Sequence, residues 1–186
     1  MTARMAAMKK ILCVLLCVWG LVILCGCVSA GKAADAPDTV ASVDLERYTG
    51  LWYQVARYPH FFQRKECRLS TARYTLLDDG RIEVRNDCWA DEVGGKRKQT
   101  VRAFARPIDE ANSWLKVRFY RLFDADYLII ELDADYRWAV VTTPDRETLW
   151  VLSRKPTLEE ETYLRILDRL AERGFIREDI IRTSLQ

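Results

Sequence analysis

From Gly50 onward the chain alternates apolar and polar side chains in short runs broken by turn residues, the period-two pattern of half-buried strands. The cleanest stretch is TARYTLLDDGRIEVRNDC, Thr71 to Cys88. Within it, Asp78-Asp79-Gly80 predicts a three-residue hairpin loop with the glycine at positive φ. Folding about that loop pairs Tyr74 with Val84, Leu76 with Ile82 and Ala72 with Asn86. These six share one mainly apolar face, while Arg73, Arg81, Glu83, Arg85 and Asp87 share the other. One side of the hairpin therefore covers an interior and the other meets water.

The same pattern predicts a strand at about 50–58 and a less regular one near 100–105. Leu115, Val117 and Phe119 then oppose Lys116 and Arg118 in a further strand. YLIIEL from Tyr127, RWAVVT from Arg137 and TLWVLSR from Thr148 complete eight. Trp138, Val140 and Thr142 fall on one face of their strand, taken as the inner one. FYRLFDADY, Phe119 to Tyr127, reads as a loop at one rim. A helix follows only after the last strand. Thr157 as N-cap and Glu160 three residues later predict a capping box, Tyr163, Ile166, Leu167 and Leu170 form one apolar stripe, and Gly174 stops the helix. The expected fold is all-β: a closed, eight-stranded, antiparallel up-and-down β-barrel with a C-terminal α-helix packed against its outside.

The N-terminus has a different character. Arg4, Lys9 and Lys10 precede an apolar run from Ile11 to Leu24, and small residues follow, as in a secretory signal. The run is shorter than the roughly 20 residues that span a bilayer, which makes an uncleaved anchor the weaker alternative. Leu24-Cys25-Gly26-Cys27 resembles a bacterial lipobox, which implies cleavage before Cys27 and acylation of its thiol. Ser29 stands where enterobacterial lipoproteins kept in the inner membrane carry aspartate, so the resemblance implies the outer membrane, on its periplasmic side. The expected organisation is a signal peptide at 1–26, a lipidated cysteine and flexible tether at 27–43, and a barrel domain at 44–186.

Charge and cysteines narrow the function classes. The chain holds 29 Lys and Arg against 27 Asp and Glu. Losing residues 1–26 removes three of the basic residues, leaving 26 against 27, so no electrostatic footprint for nucleic acid remains. Gly94 to Lys98, GGKRK, reads as a solvated loop rather than a phosphate-binding loop. Of six cysteines, Cys13, Cys17 and Cys25 leave with the signal and Cys27 takes lipid. Cys67 and Cys88 remain, a candidate disulfide in an oxidising periplasm. Unbroken strand pairing would set Cys67 opposite residue 91, about 10 Å along the strand from Cys88 and too far for a disulfide. Either the chain bends or bulges between Cys67 and Thr71, which is the expectation, or both thiols are free. One histidine, His60, and no paired metal spacing give no metal site, and no cofactor is expected.

Gly50-Leu51-Trp52 after Tyr48-Thr49, Asp135-Tyr136 before a late strand, and Leu149 to Arg154 in the last one resemble the three signature regions of lipocalins. The wording is most similar to bacterial lipocalins and apolipoprotein D, over about Asp44 to Gln186. The resemblance implies that Trp52 plugs the closed end of the barrel with Arg154 packed over its indole, a contact worth about 0.5–2 kcal/mol. It implies pocket-lining roles at positions matching Tyr74, Asn86 and Trp150. With Val84, Phe119 and Trp138 these make the expected ligand-binding set, and Arg121 at the rim would meet a carboxylate or phosphate unless it is a plain solvated arginine.

An eight-stranded barrel can fill its interior with side chains or hold one small ligand. Inward Asn86, if buried and unpaired, would cost about 1–3 kcal/mol and so calls for a partner, water or a ligand head group. Similar bacterial lipocalins imply fatty acid or lysophospholipid as the ligand, a membrane partner through the lipid anchor, and a possible homodimer. A binding protein rather than an enzyme is expected, since no G-x-S-x-G nucleophile elbow occurs. The rival readings are a lipid-modifying enzyme using His60 in the loop after the first strand, and an envelope interaction module on a filled barrel.

Overall fold

The computed structural model describes residues 36–59, 67, 69–90, 95–119 and 123–183. A short helix, α1 (Leu45–Tyr48), leads into eight strands: β1 (Gly50–Arg57), β2 (Leu69–Leu76), β3 (Ile82–Trp89), β4 (Arg97–Pro107), β5 (Trp114–Phe119), β6 (Phe123–Leu132), β7 (Trp138–Thr142) and β8 (Leu149–Ser153). The helix α2 (Glu160–Glu172), a 3₁₀ turn (Arg177–Asp179) and a two-residue strand β9 (Ile181–Arg182) follow. Every neighbouring pair is antiparallel, and β1 pairs with both β2 and β8, which closes the barrel. Closure leaves the eight strands no free edge.

The hairpin expected at Asp78-Asp79-Gly80 is present in the predicted register, with Ala72, Tyr74 and Leu76 opposite Asn86, Val84 and Ile82. Gly80 has φ +78°, and Leu77 donates to the Arg81 carbonyl at 2.8 Å across the loop. The ladder runs unbroken to Leu69 opposite Trp89. Cys67 is nevertheless bonded to Cys88, with Cα atoms 5.3 Å apart. Cys67 therefore lies off the continued ladder, as the expected bend before Thr71 requires, and the alternative of two free thiols does not hold.

Strand alternation sorts side chains into two cores. The inner one holds Trp52, Tyr74, Ile82, Val84, Ala103, Leu115, Val117, Ile129, Val141 and Leu152. An outer one lies under α2, where Tyr163, Ile166, Leu167 and Leu170 meet Val55, Leu128, Ile130, Val140 and Val151. The apolar stripe of α2 is buried as its spacing predicted. Gly174, at φ +81°, ends the helix: its N–H donates to the Ala171 carbonyl and that of Phe175 to the Leu170 carbonyl, both at 3.0 Å.

Four expectations change. The helix starts at Glu160 with no side-chain cap, so Thr157 is not its N-cap. The Glu160 carboxylate instead takes Arg182 at 2.5 Å, tying β9 to the helix. The FYRLFDADY rim loop shrinks, because Phe119 closes β5 and Phe123 to Tyr127 belong to β6. Asp124 and Asp126 alternate with Phe123, Ala125 and Tyr127, and they pair with Arg118 and Lys116 across the outer face. Residues 36–43 are not free tether: Val43 is buried, Val40 donates to the Ile129 carbonyl at 3.0 Å and Val43 to the Ala111 carbonyl at 2.7 Å. Pairing through both backbone bonds and burial draws the domain boundary back into that segment. Finally, Trp138 lies on the outer face with Val140, packed against the helix core, while Ala139 and Val141 point inward. A bulge between Ile129 and Glu131 of β6 accompanies this part of the wall.

Candidate functional site

The antiparallel weave fixes which end of the barrel is which. Strand ends at Gly50, Leu76, Ile82, Pro107, Trp114, Leu132, Trp138 and Ser153 gather at one end; Arg57, Leu69, Trp89, Arg97, Phe119, Phe123, Thr142 and Leu149 gather at the other.

The first end is shut by α1 and by side chains. Trp52 is fully buried and its indole N–H donates to the Tyr48 carbonyl at 2.9 Å. The Arg154 guanidinium lies over that indole, 3.8 Å from the ring centroid. It also donates to the carbonyls of Leu51 at 3.1 Å, Arg47 at 2.6 Å and Tyr136 at 3.3 Å, stitching three segments together. Gly50 stands at φ +96°, and a Cβ there would meet Arg154 Nη1 at 3.1 Å. A glycine two residues before the tryptophan is what lets the arginine reach it. Tyr136, itself at φ +59°, accepts the Asp44 N–H on its hydroxyl at 2.8 Å and carries the Arg47 guanidinium on its ring. Asp135 is exposed and pairs with Arg137 at 3.7 Å. The three signature regions thus converge on one closed end.

Above the plug, aromatic rings fill the lower interior. Tyr48 lies 5.0 Å from Trp52 and 5.5 Å from Tyr74, centroid to centroid. The Tyr127 hydroxyl bonds Tyr48 at 2.7 Å and Tyr74 at 3.0 Å. Burial raises all three phenols, Tyr74 to about 12 and Tyr48 and Tyr127 well above their ordinary value, so the cluster is neutral at physiological pH. Tyr74 therefore belongs to the floor of the interior rather than to its upper wall. Tyr48 and Tyr127 escaped the sequence reading, although Phe123-Asp124-Ala125-Asp126-Tyr127 alternates cleanly once read as strand.

Towards the second end the inward positions change character. Ala72, Val101, Phe119, Ala125 and Trp150 are inward by register and only half-buried, and Asn86 is exposed. Solvent thus reaches the inner wall from this end, which is the mouth. Val84 is buried lower on the same wall. Exposure of Asn86 removes the desolvation cost that would have demanded a partner for it. Phe119 stacks on Phe123 at 5.2 Å, and Phe123 is 60% exposed at the lip. Trp138 takes no part in this wall. Arg121, His60 and Cys27 lie outside the described residues.

Two inner-wall residues were missed from sequence. Gln54 faces Leu152 and Arg57 faces Trp150 across the β1–β8 ladder, with a bulge between Gln54 and Ala56. That bulge puts Val55 and Ala56 both on the outer side and hides the alternation of the strand. Gln54 is only 7% exposed, and its Nε2 has no hydrogen-bond partner among the described residues. Leaving such an amide unmatched costs about 1–3 kcal/mol.

Residues 43–184 match the lipocalin-like domain family. The chain belongs to the lipocalins. This lipocalin is 38% identical to the outer membrane lipoprotein Blc of Escherichia coli over 138 residues, 73% of this chain and 76% of that one. It is 33% identical to the outer membrane lipoprotein Blc of Vibrio cholerae over 166 residues, covering 89% of this chain and 94% of the other. Its barrel resembles that of insecticyanin from the tobacco hornworm Manduca sexta, with a TM-score of 0.62, 17% identity, and coverage of 81% and 86%. That last likeness is of fold alone.

Proposed function

We propose that this lipocalin binds a single-chain lipid, a fatty acid or lysophospholipid, in the mouth half of its barrel, and that it does so at the outer membrane, anchored through acylated Cys27. The observation carrying this reading is the division of the interior: aromatic rings pack the closed half, while Ala72, Val101, Phe119, Ala125 and Trp150 remain half-buried on the wall above. An apolar inner wall reached from one end suits a chain that enters tail first. Each buried CH₂ contributes about 0.8 kcal/mol, so a sixteen-carbon chain offers on the order of 12 kcal/mol before ordering and desolvation. The relatives named outer membrane lipoproteins support the envelope location, together with Leu24-Cys25-Gly26-Cys27.

The role that follows is storage or transfer of lipid beside a membrane, with no covalent chemistry. A saturable fluorescence change on titrating the mature protein with palmitate or lysophosphatidylcholine is the expected result, as is one of these classes in solvent extracts of protein purified from its own envelope. The absence of both a saturable change and co-purifying lipid would refute the proposal. Replacing Cys27 with alanine should release the protein from the membrane fraction.

A further inference from the structure

We infer that the ligand's anionic head is held inside the mouth by Arg57 and Gln54 of β1, an oxyanion station on the inner wall rather than at the rim. The inference rests on the lipid-binding reading above and adds where the polar end lies and what recognises it.

Two independent observations meet on one strand. Gln54, opposite Leu152 on the ladder, presents a side-chain amide donor that is buried and left without a partner among the described residues. Buried amides are ordinarily satisfied, so an unpartnered donor buried on an inner wall points to a group absent from the protein itself. Arg57 is the next inward position, because the bulge sends Val55 and Ala56 outward. Its ladder partner Trp150 belongs to the inner core. Its Nη1 donates to the Tyr58 carbonyl at 3.0 Å, and no carboxylate pairs with it among the described residues. Three outward-facing arginines of the wall differ: Arg81, Arg85 and Arg118 are each paired with an aspartate on the outside. Burial pulls the Arg57 pKa downward, as expected of a cation partly removed from water.

An arginine fork and an amide N–H, one step apart on the same wall, offer donors and charge but no competing acceptor charge. That chemistry takes a carboxylate or a phosphate, with Arg binding either oxyanion in bidentate fashion. The hydrocarbon tail then lies along Leu152, Val84 and Phe119 toward the tyrosine floor. A neutral head of equal length would gain the tail contacts without the station.

The test compares palmitate, lysophosphatidic acid and the neutral alcohol hexadecanol on the full mature protein and on Arg57→Met, Arg57→Lys and Gln54→Leu. Arg57→Met should weaken at least one anionic ligand by about tenfold or more and leave hexadecanol within about twofold. Loss for palmitate assigns a carboxylate, and loss confined to lysophosphatidic acid assigns a phosphate. Arg57→Lys should recover part of the loss, since it keeps the charge but not the fork. Gln54→Leu should weaken the same anion severalfold while the ligand-free protein melts no lower than before. A merely structural glutamine would change melting and leave the affinity ratio of anion to alcohol untouched. Equal losses for alcohol and anions, or none for any, would overturn the station while the lipid-binding reading stands. Failure of the unaltered protein to bind any of the three would instead overturn that reading, and the station with it.

Discussion

A methyl group at residue 50 would lie 3.1 Å from Arg154 Nη1, on a backbone at φ +96° that side-chain-bearing residues avoid. Gly50→Ala is therefore expected to cost about 1–3 kcal/mol in chemical denaturation, and to displace the guanidinium from the Trp52 indole. Two strains act together there, in the backbone and against a charged group held by three carbonyls. The tyrosine cluster makes a separate prediction in pH. Burial raises the phenol pKa of Tyr48, Tyr74 and Tyr127 above the value near 10 of an unfolded chain. Raised folded values mean the contribution of these neutral phenols is complete below about pH 10 and is lost as pH climbs above it towards the folded values, about 12 for Tyr74, because only the unfolded chain readily releases the protons. The denaturation midpoint should fall steeply above about pH 10, with phenolate absorbance of the buried tyrosines appearing only as the protein unfolds. Replacing Tyr127 with phenylalanine should flatten that alkaline slope.

At the scale of elements, strands with one wet face were legible because their alternation is unbroken. The β2–β3 register followed from a glycine loop and from apolar residues at every second position. Where the strand bulges, the signal fails. Arg57 could not be assigned to the inner wall because the extra residue in β1 resets the parity after Gln54, which itself keeps the inward parity of Trp52. Trp138 was misassigned for a related reason: Ala139, Val140 and Val141 are all apolar, since this strand has a barrel core on one side and α2 on the other. Hydrophobicity alone gives such a strand no preferred face. The β6 start was lost because aspartates read as loop, although their partners Arg118 and Lys116 sit directly across the ladder. The disulfide belongs to this scale too. It ties the segment before β2 to β3 at a separation of 21 residues, and replacing both Cys67 and Cys88 with serine should cost about 3 kcal/mol in unreduced protein. An equal stability of the two proteins under oxidising conditions would show that the bond constrains nothing.

For the whole molecule, the barrel separates its two ends by chemistry. One end is sealed by Trp52, Arg154 and a hydrogen-bonded tyrosine floor; the other leaves its inner wall half-open to solvent. The proposed function follows from that polarity: a lipid ligand would enter from the open side and keep its head there. The five tryptophans that follow Cys27 supply a position-sensitive readout of occupancy. Trp150 lines the inner wall near the mouth, whereas Trp138 lies outside under α2 with Arg169 above its ring. Titrating the mature protein with a fatty acid brominated along its chain tests the account most directly, since bromine quenches only nearby indoles. The account predicts saturable quenching that falls sharply in Trp150→Phe and persists in Trp138→Phe. Quenching that never saturates, or that vanishes with Trp138 and not with Trp150, would contradict it.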